Sequence, residues 1–193
     1  MTAATAALDH SELIHLALEA DRNGDSGASL AYLKQAVSRP DATAPAHLLL
    51  GAGYAQLQMY DRAVTEMESA LALDPSLAIA RFQLGLLLLT CGDALRALDT
   101  LKPLAELGEA HALAQFGAGL IHLIGDEFGP SIACLHKGIA LNTDNPALNQ
   151  DMLKIIEKIE ALPPQAPAAE SGAASDDSAR HIFLSAYTTG AKQ

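Results

Sequence analysis

The residues able to do chemistry in this chain are seven histidines, two cysteines and 23 carboxylates, so metal binding and acid–base catalysis are tested first. A metal site needs three or four donors gathered at short, regular spacing. His10 and His15 are five residues apart and fall on different faces of a helix. His47 and His122 sit inside helical apolar stretches and read as packing substitutions. His111 and His136 have no Cys, Asp or Glu at ligand spacing. His181 is of a type that titrates near neutral pH, but nothing beside it suggests a switch. Cys91 and Cys134 also lack metal-type spacing and are expected as buried thiols in a reducing compartment. Glu66 with Glu68, and Asp176 with Asp177, read as solvated charge. There is no Ser–His–Asp order, phosphate-cradling glycine loop or nucleophile elbow. Gly51-Ala52-Gly53 lacks the preceding strand that dinucleotide binding needs. The expectation is a non-enzyme with no cofactor and no metal.

Composition narrows the partner. The formal net charge of −11 argues against nucleic acid and anionic membranes, which require clustered Lys and Arg. Half of the residues are apolar but only 4% are aromatic, which suits helices packed closely through small residues. The segment MTAATAALDH has no basic region followed by an apolar run, so no secretory signal is expected. The run 84–89 is too short to span a bilayer, so no direct membrane insertion is expected and a cytoplasmic location is.

The elements that carry these residues repeat. Gly51, Gly85 and Gly119 stand 34 residues apart, with Ala17 one period earlier. Twelve residues after each comes another small residue: Ser29, Ala63, Ala97 and Ser131. Four further on are Leu33, Met67, Leu101 and Leu135, and three beyond those are Ala36, Ala70, Leu104 and Gly138. On this spacing the chain resembles the tetratricopeptide-repeat family over roughly residues 10–143. The second unit, with Gly51, Tyr54, Ala63, Ala70 and Pro75, lies close to the family pattern. The resemblance implies an all-α, right-handed solenoid of helix-turn-helix repeats, which works by holding a partner.

Four units are expected at 10–43, 44–77, 78–111 and 112–145, after a disordered lead at 1–9. Their helices are placed at 10–22 and 26–38, 44–58 and 61–73, 78–91 and 94–106, and 112–124 and 129–141. Asn23-Gly24-Asp25, Gly92-Asp93 and Gly125-Asp126 put a permissive residue beside a good N-cap. Pro103 falls inside a helix and should kink or shorten it. Asn145 and Pro146 start a capping helix over 146–162, with one apolar stripe through Leu148, Met152, Ile155, Ile156, Ile159 and Leu162. Residues 163–179 have the Pro, Ala, Ser and acid content of a flexible linker. An apolar tail segment follows at 180–193, with Ile182, Phe183, Leu184 and Tyr187 as its docking residues.

Carried over residue by residue, the family register puts Ile14, Leu48, Phe82 and Phe116 in a concave groove. It adds Leu18, Ala52, Leu86 and Leu120, then Leu89 and Leu123, so the ladder is almost wholly apolar. The resemblance thus implies a protein or peptide partner bound through an apolar segment, in an adaptor or chaperone. Covering about 400 Å2 of such a groove would contribute about 10 kcal/mol before ordering costs. Phe82→Glu with Phe116→Glu is then expected to abolish capture and leave helicity nearly unchanged. The bland alternative is that curvature or a neighbouring helix buries the ladder as core. The Lys, Asn and Arg of a carboxylate clamp are absent from these positions, so a heat-shock co-chaperone is not expected. In size class and repeat type the chain is distantly similar to the repeat chaperones of bacterial secretion systems. The other reading is a self-assembling or autoinhibited scaffold. In it the segment 181–187 fills a groove in cis or in trans, giving a homo-oligomer in the second case, or docks on a secretion or membrane component.

Overall fold

The computed structural model describes residues 8–162, and the tail residues Ile182, Phe183, Leu184 and Tyr187 lie outside them. The described residues are all-α. In chain order the helices are α1 His10–Arg22, α2 Ser26–Val37, α3 Ala44–Gln56, α4 Tyr60–Leu73, α5 Ala78–Thr90, α6 Ala94–Leu101, α7 Ala112–Ile124, α8 Phe128–Leu141 and α9 Pro146–Glu160. A 3-10 helix, Lys102–Leu107, follows α6 directly. Pro103 is the physical reason: it has no N–H to continue the α-helical ladder, so the chain tightens after Leu101. Leu8 and Asp9 precede α1. Asp9 caps α1 in a reciprocal capping box with Glu12, both bonds at 2.8 Å, and the Leu8 carbonyl accepts from Arg39 Nη1 at 3.0 Å.

The chain divides into two compact units at Ala80/Arg81. The first holds α1 to α4 and the opening residues of α5. Its helices pack through the small residues of the repeat. A Cβ on Gly51 would stand 2.9 Å from Met67 Cγ and 3.1 Å from the Ala63 carbonyl, so only glycine lets α3 and α4 come this close. Ala36, Ala63 and Ala70 are fully buried beside Leu13, Leu33, Leu50 and Met67. Ala44, Ala70 and Ala80 form a small core cluster, with Leu48 packed against it.

The second unit is built from the rest of α5 through α9. Leu101 fills the space that Gly85 leaves, and Leu135 fills the space at Gly119. The Ser131 hydroxyl donates to the Gly119 carbonyl at 2.8 Å, a buried bond tying α8 to α7. Leu104, on the 3-10 helix, packs over Gly117 of α7. Helix α9 lays Met152, Ile155, Ile156 and Ile159 against α8 and turns Glu157 and Glu160 to solvent.

Candidate interaction site

In the first unit, α1, α2 and α3 enclose a recess of about 80 Å3. Ala17, Ser29 and Leu33 are buried and form its floor, and Ala52 and Gly53 of α3 form one wall. Gly53 also lets α3 pack closely on α2: a Cβ there would stand 3.0 Å from Leu30 Cδ2. Leu18 is 37% exposed at the opposite edge, an apolar side chain turned to water. The exposed Asp21 and Gln56 complete the rim, and Asp21 is its charged residue. Ser29 is only 7% exposed, and among the described residues its hydroxyl makes no hydrogen bond. Three periods later, Ser131 makes the inter-helix bond that Ser29 does not. The recess is lined by apolar side chains from all three helices, with the Ser29 hydroxyl, the Gln56 amide and the Asp21 carboxylate as its polar groups.

The other members of the apolar ladder occupy two kinds of place. Ile14, Leu48 and Ala52 in the first unit, and Leu86 in the second, are partly exposed. Phe82, Phe116, Leu120 and Leu123 are fully buried, and Leu89 is 3% exposed. The rings of Phe82 and Phe116 pack against each other with centroids 5.9 Å apart. Gly138 makes this possible, because a Cβ there would come within 2.4 Å of Phe116 Cδ1. These five side chains are core and are not presented to a partner in this conformation. Of the ladder residues, Leu18 is thus exposed and Ile14, Leu48 and Ala52 partly so in the first unit, and Leu86 is partly exposed in the second.

Polar pairs that spacing did not reveal join the helices. His47 Nδ1 and Glu66 Oε2 lie 2.7 Å apart, both half-buried, linking α3 to α4. Glu66 is therefore held in a pair and is not simply a solvated charge. The 19-residue separation carries no local signal for it; only the antiparallel hairpin brings the two together. His122 likewise meets Glu127 across the turn after α7. His10 Nε2 and the Thr43 hydroxyl share a 3.0 Å hydrogen bond, so Thr43 starts α3 without capping it. Beside them, Arg39 bonds Asp41 and holds its carboxyl below the usual range. Cys91 is exposed and Cys134 half-buried, contrary to the expectation of two buried thiols, and no disulfide joins them. Among the described residues there is no group of three or more His, Cys, Asp or Glu able to hold a metal. Among the same residues no helix is long and apolar enough to cross a membrane.

Residues 44–77 match the family model of the tetratricopeptide repeat. No curated protein sequence matches the chain. Among solved structures it is similar to MamA 41-end from Desulfovibrio magneticus RS-1, at 20% identity and a TM-score of 0.58, over 78% of this chain and 94% of that one. A structure titled MamA protein is 17% identical with a TM-score of 0.57, over 93% of this chain and 90% of that one. At this identity the likeness concerns the fold. Residues 44–77 are a tetratricopeptide repeat, and the chain has an all-α fold built of such helix pairs.

Proposed function

We propose that this chain is a non-catalytic protein-interaction module that holds an apolar peptide segment, anchored in the recess between α1, α2 and α3. The observation that carries this reading is the recess itself, with exposed Leu18 on its edge and an unbonded Ser29 hydroxyl in its floor. Leu18 and the recess beside it together offer a small apolar surface that a peptide side chain could cover. Seating one Val, Leu or Ile side chain there would contribute about 1.5–3 kcal/mol. The half-exposed Ile14, Leu48 and Ala52 offer further contact area along the same unit. A chaperone for an extended apolar segment of a client, as in secretion systems, is one form of this function, and its support is size class and repeat type.

The test is a random peptide library displayed on phage and selected against the full-length protein. The reading expects recovered peptides to share a branched aliphatic residue and to lose binding at least tenfold on Leu18→Glu, a substitution at an exposed site. Peptides that bind the variant as well as the parent would show that the recess is not the anchor.

A further inference from the structure

We infer that the first unit carries a second binding site, a pair of cations held on the Tyr54 ring that takes the carboxylates of an acidic peptide segment. Lys34 of α2 places Nζ 5.7 Å from the centroid of that ring, and Arg62 of α4 places Cζ 5.8 Å from it. Tyr54 of α3 is 6% exposed, so packing fixes the ring while both cationic side chains stay exposed. Among the described residues neither cation has a carboxylate partner, and the Tyr54 hydroxyl makes no hydrogen bond.

That absence counts because carboxylates are plentiful. The chain has 23 acids to 12 bases, and Arg39, Arg96, Lys102, Lys137 and Lys154 each pair with one. Asp61 even adjoins Arg62 in sequence, and the two make no ion pair. Lys34 lies in the last turn of α2, where the helix dipole favours a cation. Arg62 lies in the first turn of α4, where it opposes the dipole, so it adds nothing to that helix. The same end of α4 has no side-chain cap, which favours a negative group beside Arg62.

The chemistry of the ligand follows from the donors. Contact with the ring limits the freedom of both long side chains before anything binds, so less is lost when an anion arrives. The guanidinium presents a planar fork that matches a carboxylate, and the ammonium supplies a second charge-assisted hydrogen bond. The Tyr54 hydroxyl is a further donor. A nucleic acid or an anionic membrane brings many charges, which a chain of net charge −11 repels, and two cations are too few to hold it. One or two neighbouring Asp or Glu side chains on a peptide bring no more charge than the pair neutralises. The site is distinct from the apolar ladder and from the recess, because Lys34 and Arg62 stand on α2 and α4 and line neither.

The experiment measures the fluorescence anisotropy of a hexaglutamate peptide carrying an uncharged dye, against the full-length protein at low salt, with hexaglutamine as the control peptide. The inference expects hexaglutamate to bind and hexaglutamine to bind at least about tenfold more weakly. Lys34→Gln and Arg62→Gln, both at exposed positions, should each weaken hexaglutamate about five- to tenfold with circular dichroism unchanged. Tyr54→Phe keeps the ring and its cation contacts and should cost about two- to threefold through the lost hydroxyl. Arg22 is also without a carboxylate partner among the described residues, but the ring does not hold it, so Arg22→Gln should leave affinity within about twofold. Equal loss from Arg22→Gln would mean attraction to positive charge in general and would overturn the inference. So would hexaglutamate that binds the Lys34→Gln, Arg62→Gln double variant as well as the parent, or that does not bind the parent at all. Inorganic phosphate that displaces the peptide at matched ionic strength would overturn the assignment to a peptide and make the pair a small-anion site.

Discussion

Gln58 and Gly92, 34 residues apart, hold the same left-handed backbone, with φ of 59° and 80°. Gly24 and Asp126, one period before and one after, hold it too, at 75° and 57°. Every turn between the two helices of a repeat thus needs a residue at positive φ, and two of the four turns supply it without glycine.

A side chain in that conformation costs about 1–2 kcal/mol, partly offset by the greater freedom glycine has in the unfolded chain. Gln58→Gly is therefore expected to stabilise the protein by about 1 kcal/mol, raising Tm by roughly 2–4 °C. Gly92→Ala should lower Tm by a similar amount. Calorimetry on both variants checks the pair, and a lower Tm for Gln58→Gly would contradict it.

The residue after each of these turns is the N-cap of the next helix. Asp25 accepts from the Ala28 N–H at 2.9 Å and Asp93 from the Arg96 N–H at 3.2 Å. Met59 has nearly the same backbone, φ −87° and ψ 61° against −94° and 70° at Asp93, but no side-chain acceptor. Met59→Asp should cap α4 and stabilise the fold by about 0.5–1 kcal/mol after the lost methionine packing. Urea denaturation gives the answer through a shift in midpoint at constant slope.

Glycines in α8 should respond in opposite ways. Gly138→Ala drives a methyl into the Phe116 ring and is expected to cost about 2–3 kcal/mol. At Gly129 a Cβ meets nothing within 4 Å, so Gly129→Ala should gain about 0.5–1 kcal/mol from helix propensity. Equal effects from the two would show that the Phe116 contact is not what fixes glycine at 138.

These positions mark what the sequence made legible. The 34-residue period, the small residues at helix crossings and the break at Pro103 all follow from local chemistry, and the helices fall within a few residues of their expected bounds. Depth was not legible. Phe82 and Phe116 lie on the face the register assigns, yet periodicity reports direction and not distance from solvent, and it was Gly138 on another helix that let Phe116 sink. The recess was half visible, through Leu18 and Ala52, while Ser29 showed only as a small residue of the repeat and Gly53 as part of a glycine pair without a strand before it. Gln58 gave no hint of positive φ, because glutamine carries no turn signal.

Asp126 adds a pH dependence. Burial raises its pKa above 3.8, so the folded state holds that proton more tightly than the unfolded chain. Its contribution to stability is therefore greatest below 3.8 and falls as pH rises through the folded-state value. Asp126→Asn removes the charge and keeps a residue that tolerates the left-handed region. The variant should be more stable than the parent at pH 7, with the difference shrinking as pH falls below 4. A stability gap independent of pH would assign the gain to backbone conformation alone.

The burial of Phe82 and Phe116 reverses one expectation drawn from the sequence. Phe82→Glu with Phe116→Glu would place two carboxylates in the core and should unfold the second unit, so loss of binding in that variant says nothing about a groove. The exposed edge of the recess is the informative place. The measurement that bears most directly on the account is fluorescence anisotropy of a library-selected peptide against the parent and Leu18→Glu, with circular dichroism on both. The account predicts unchanged helicity and at least tenfold weaker binding for Leu18→Glu. Unchanged helicity with unchanged affinity would contradict it and move the interaction site away from α1, α2 and α3.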